Sequence, residues 1–76
     1  MTAENFDQVL TDLRDQRPFN IFSVELIGGR RFEIDHPMAL VVRAGVAVFI
    51  SPGGSSVWFD HTGVLRVIGA GAGADV

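Results

Sequence analysis

Two consecutive runs, ALVVR (39–43) and VAVFI (46–50), are apolar at nearly every position and are separated only by Ala44-Gly45. A strand that is apolar on both faces has to be covered on both faces. That demand is hard to meet in a chain of 76 residues, because a domain of this size buries only about 60% of the surface its unfolded chain exposes. One cover can come from a helix, and the other from a neighbouring subunit. Other sources of stability are scarce: there is no cysteine to form a disulfide, and two histidines cannot make a structural zinc site alone. With 47% hydrophobic against 20% charged residues, the chain is expected to form a homo-oligomer.

The flanking segments have clearer periods. Phe6, Val9, Leu10 and Leu13 fall at i, i+3, i+4 and i+7, which predicts a helix over about 3–16. Thr2 is placed to cap it, Glu4 and Asp7 lie near its positive end, and Arg14 and Arg17 near its negative end. Pro18 stops the helix and turns Arg17 extended. In FNIFSVELI, Phe22, Val24 and Leu26 share one face, with Ile21, Ser23 and Glu25 on the other. Gly28-Gly29 suits a two-residue hairpin turn. RRFEID then alternates wet Arg31, Glu33 and Asp35 with inward Phe32 and Ile34, and His36-Pro37 ends it.

SPGGSS is a loop by composition, and VWF and VLRVI complete the strands. The expected architecture is mainly β with one N-terminal α-helix: about five short antiparallel strands in meander order, forming a curled sheet or small barrel. Residues 1–69 make a single domain, with strands over about 19–69. The Gly/Ala tail at 70–76 lacks periodicity and bulk and is expected to be mobile.

SSVWFDHTGVLRVIG, residues 55–69, gathers the only tryptophan with a histidine, an aspartate and an arginine. Within it DHTG has the composition of a turn, in which aspartate and threonine oxygens cap local backbone donors and glycine takes a left-handed conformation. The alternative is an exposed tip that presents Asp60 and His61 to a ligand. Trp58 and Phe59 could stack on bases, or divide between core and surface as adjacent aromatics in a strand commonly do.

Catalysis and metal binding lack support. No nucleophile elbow surrounds Ser51, Ser55 or Ser56, and His36, His61, Asp35 and Asp60 have no ligand spacing. GGRR (28–31) has no helix after it and so is not a phosphate loop. The chain is therefore expected to be no enzyme and to use no cofactor or metal, and the sequence identifies no small-molecule substrate.

All six basic residues are arginine, and nine acids bring the net charge to −3, so phosphate binding would require arginines gathered at one place. The apolar runs are too short to span a bilayer, and MTAENFDQ is acidic where a secretory signal is basic. A soluble, cytoplasmic protein without membrane association is expected.

The order of a short helix, a proline-marked entry into FNIFSVELIGGRRFEI, then ALVVR, VAVFI and VWFDHTGVLRVI resembles the Sm-like fold and, within it, the Hfq-like family of bacterial RNA chaperones. LTDLRDQRPFNIFSVELIGG looks like that family's helix and first strand, and VWFDHTGVLRVI like its closing segment. The resemblance implies a small barrel assembled into a ring that binds single-stranded RNA. His61 would match the pore histidine, Phe59 the aromatic before it, and Arg14 and Arg17 a basic rim. The chain also resembles a group of short bacterial proteins of unknown function sharing the run PF…I.L..GR.F.I.HP, here Pro18-Phe19, Gly29-Arg30, Phe32, Ile34 and His36-Pro37; this second resemblance implies no activity. The leading expectation is an oligomeric RNA-binding module. The alternative is a non-enzymatic protein-interaction or assembly module without nucleic-acid binding.

Overall fold

The computed structural model describes residues 1–69; the tail expected to be mobile, 70–76, lies outside the described residues. A helix α1 (Ala3–Arg14) is followed by strands β1 (Phe22–Leu26), β2 (Arg31–Ile34), β3 (Leu40–Arg43), β4 (Val46–Ile50), β5 (Ser56–Asp60) and β6 (Val64–Gly69). Thr2 caps α1 as expected, its Oγ1 accepting from the Asn5 N–H at 3.0 Å. The helix ends at Arg14, two residues short of the expected limit, where Asp15 closes it by donating its N–H to the Thr11 carbonyl. Arg17 and Pro18 are joined by a cis peptide bond.

The strands form two antiparallel three-stranded sheets, ordered β2-β1-β6 and β3-β4-β5. This corrects the expected meander of about five strands in a curled sheet or Sm-like barrel. Among the described residues there are six strands, the last lies beside the first, and the two sheets are not closed into a barrel.

The cause lies at Asp35-His36-Pro37. Proline has no N–H to donate to a ladder. In addition, the Met38 N–H donates to His36 Nδ1 at 3.0 Å, which stabilises a single 3-10 turn over Pro37–Ala39. Hydrogen bonding in β2 therefore stops at Ile34 and resumes in the other sheet at Leu40, so no continuous strand carries one sheet into the next.

The turns follow residue chemistry. Ala44 and Gly45 both have positive φ, 54° and 82°, as a two-residue type I′ hairpin requires. The β1–β2 connection is longer than the expected Gly-Gly pair. Leu26 and Arg30 close a loop of residues 27–29, in which Gly29 alone has positive φ.

The core lies between the sheets, with Phe6 and Leu10 of α1 packed into it. Phe6, Leu10, Phe22, Val24 and Ile34 are fully buried. Phe32 of the first sheet joins the two layers, stacking on Phe49 at 5.7 Å and meeting Phe59 edge-on at 5.1 Å. Phe59 in turn meets Phe6 edge-on at 5.8 Å.

Candidate interaction surface

Alternation along β3, β4 and β5 sends Leu40, Val42, Ala47, Phe49, Val57 and Phe59 inward. The intervening residues form the outer face. Cross-strand register aligns them in rows: Val41, Val48 and Trp58 in one, and Arg43, Val46 and Asp60 in the next. Ile50 pairs with Ser56 on the far side of the tryptophan row. Trp58 is 69% exposed and Val41 62%, with Val46 and Ile50 also exposed and Val48 half-buried.

The outer face of the first sheet differs in kind. Its rows are Glu33, Ser23 and Ile68, then Arg31, Glu25 and Arg66, and the Arg66 Nε lies 3.0 Å from the Glu25 carboxylate. Ser23 is buried at 7% and Ile68 half-buried. The first sheet therefore meets solvent chiefly with the charged row Arg31, Glu25 and Arg66, with Leu65 exposed beside it, whereas the second does so with valine, isoleucine and tryptophan. A contiguous apolar row on a solvent-facing sheet is characteristic of surfaces that bind.

The DHTG segment is a turn. Asp60 Oδ1 accepts from the Thr62 hydroxyl at 2.7 Å, from the Thr62 N–H at 3.0 Å and from the Gly63 N–H at 3.2 Å. The Thr62 hydroxyl holds the Asp60 carboxyl below the usual aspartate range against the opposing effect of desolvation, with lesser help from the two backbone donors and the neighbouring His61 ring. His61 secures the amino-terminal end of the molecule. Its Nδ1 lies 2.9 Å from the Met1 carbonyl oxygen, and its own N–H donates to the Gly45 carbonyl at 2.9 Å.

The four residues expected to contact RNA do not form one site. Phe59 is in the core at 7% exposure, with Phe6 and Phe32 against its ring, which leaves no face for a base. His61 belongs to the Met1 end of α1, whereas Arg14 and Arg17 belong to the other end, and a twelve-residue helix is about 18 Å long. Arg14 and Arg17 do come together, lining a shallow groove of about 340 Å³ with Pro18, Phe19, Pro37 and Met38. Arg14 is engaged there with Asp15 at 3.1 Å.

The expectation of single-stranded RNA binding in a ring is accordingly corrected. Its barrel is absent, its aromatic is buried, its histidine is tied to the chain terminus, and an ionised Asp60 beside that histidine would repel phosphate.

The residues of the outer row were not singled out from sequence as a set. The signal was present in the two-sided apolarity of ALVVR and VAVFI and in the Trp58-Phe59 pair, which divides as adjacent strand aromatics do: Phe59 inward, Trp58 outward. Apolar runs without a polar face do not say which side is inner, so the row emerges only from the register.

Among the described residues no group of three or more His, Cys, Asp or Glu side chains is placed to hold a metal ion, and no helix is long and apolar enough to cross a membrane. Comparison with protein-family models, with curated proteins and with solved structures returned no match.

Proposed function

We propose that this protein is a non-enzymatic protein-interaction or assembly module that works through the outer face of the β3-β4-β5 sheet. The observation that carries the reading is the row Val41, Val48 and Trp58, apolar across all three strands and open to solvent. Fully burying a valine-sized or larger side chain stabilises by about 1.5–3 kcal/mol, and tryptophan is enriched at the energetic centres of interfaces. Association costs an estimated 4–15 kcal/mol or more in lost freedom. The row alone only just offsets that cost, so the face requires a partner that brings apolar surface of its own. Arg43 and Asp60, at opposite edges of the sheet, give the face a polar rim with one sign of charge on each side.

A photo-crosslinking residue placed at position 58, compared in living cells with one at position 33 on the charged sheet, tests this reading. Protein adducts are expected from position 58 and not from position 33. Equal yields from both, or none from position 58, would overturn it.

A further inference from the structure

We infer that the occupant of this face is a second copy of the chain, packed sheet on sheet about a twofold axis that runs parallel to β4. This rests on the reading of the face as an interaction surface and adds the identity and geometry of the partner.

The register carries it. The row Arg43, Val46, Asp60 crosses the sheet with the cation on the β3 edge and the anion on the β5 edge. Rotation by 180° about an axis along β4, lying in the plane between two such faces, exchanges the β3 and β5 sides and keeps position along the strands. Each Arg43 then faces Asp60 of the partner subunit, twice per dimer. The same operation sets each Val41 opposite a Trp58 and brings the Val46, Val48 and Ile50 side chains onto their own counterparts at the axis.

A twofold axis running across the strands does not do this. It carries the Arg43 row onto the Ile50 row, which sets Asp60 against Ser56 of the partner subunit and leaves Arg43 facing no anion. Only the axis along β4 joins complementary charge and apolar surface at once, and it also keeps the strand directions of the two sheets aligned, as face-packed sheets prefer. Both charges are available for it. Arg43 makes no ion pair among the described residues, and the hydrogen bonds that hold the Asp60 turn all fall on Oδ1, leaving the other carboxylate oxygen outside that network.

The size of the face sets the strength. Three strands about 4.8 Å apart and five residues at about 3.4 Å per residue span roughly 10 by 17 Å of backbone, a small patch beside the ~800 Å² per partner of a standard interface. The dimer is expected to be weak, with a dissociation constant in the micromolar range.

The test uses the absence of cysteine from the chain. Val48→Cys puts one thiol on the axis, and Glu33→Cys puts one at an exposed position on the outer face of the other sheet. Packed sheets stand about 10 Å apart, beyond disulfide reach but within that of a short bismaleimide. At about 100 micromolar, above the expected dissociation constant, the Val48→Cys variant should crosslink to a dimer and the Glu33→Cys variant should not. Arg43→Glu, which sets like charges against each other, should weaken dimerisation at least about tenfold by sedimentation, and Arg43→Lys should largely preserve it.

A monomer at that concentration would overturn self-pairing; adducts from position 58 to a different protein would then leave the interaction reading standing. A dimer that ignores Arg43→Glu and fails to crosslink through the thiol at position 48 would overturn the geometry. Should Arg43→Glu fail to fold, the comparison of the two cysteine variants decides alone.

Discussion

Asp7 Oδ1 accepts a hydrogen bond from the Gly45 N–H at 2.8 Å, fastening the middle of α1 to the β3–β4 turn. Gly45 is held from three directions. Its φ is +82°, and a Cβ there would come within 2.8 Å of His61 Cδ2 and 2.9 Å of Ala3 Cβ. The left-handed backbone alone costs a non-glycine residue about 1–2 kcal/mol. Gly45→Ala adds to that a displacement of the helix start and of the His61 ring, so the urea midpoint is expected to fall by more than backbone preference accounts for. Asp7→Ala, which leaves the N–H without its acceptor, should lose about 1–3 kcal/mol in the same measurement.

Ala44 presents the opposite case. It holds φ at +54° without being glycine, asparagine or aspartate, in a turn of the type that favours Asn-Gly. Ala44→Asn removes most of the left-handed penalty and is expected to stabilise by about 0.5–1 kcal/mol, raising the melting temperature by about 2–8 °C for a domain of this size. A fall in melting temperature would show that the Ala44 methyl has a packing role.

How far these features were legible in the sequence depends on which residues break symmetry. In FSVEL and RFEI one set of alternate positions is polar, so the inward faces could be assigned, and Phe22, Val24 and Ile34 are fully buried. In LVVR and VAVFI both sets are apolar, and nothing local distinguishes core from surface. His36-Pro37 was readable as the end of a strand. That it also moves the chain from one sheet to the other, and so prevents closure, depends on pairings remote in sequence: β6 with β1, and β5 with β4. The Asp60 turn was readable because side-chain capping is local chemistry. The outer row was not, because it is spread over three strands.

Asp60 makes stability depend on pH in a stated direction. Its folded pKa is lowered by the Thr62 hydroxyl and the backbone donors, so its carboxylate contributes stability that is fully present above the unfolded value of about 3.9 and is lost as pH falls through the lower folded value. In a urea series from neutral pH into the acid range, run at concentrations too dilute for association, Asp60→Asn should reduce the acid-side loss of stability. An unchanged profile would mean that the turn derives nothing from the charge.

Trp58 and Phe59 are adjacent in β5, yet their truncation should have opposite consequences. Phe59 is buried against Phe6 and Phe32, and removing a core phenylalanine costs about 3–5 kcal/mol, most of the stability that a domain this small commands. Phe59→Ala is therefore expected to lose its cooperative thermal transition by circular dichroism. Trp58 is 69% exposed, and exposed positions generally change monomer stability by no more than about 0.5 kcal/mol. Trp58→Ala should melt at nearly the same temperature under dilute conditions while losing association at high concentration by light scattering. If Trp58→Ala instead destabilises the dilute monomer as severely as Phe59→Ala, then tryptophan serves the fold, and the outer row cannot be the surface on which a partner rests.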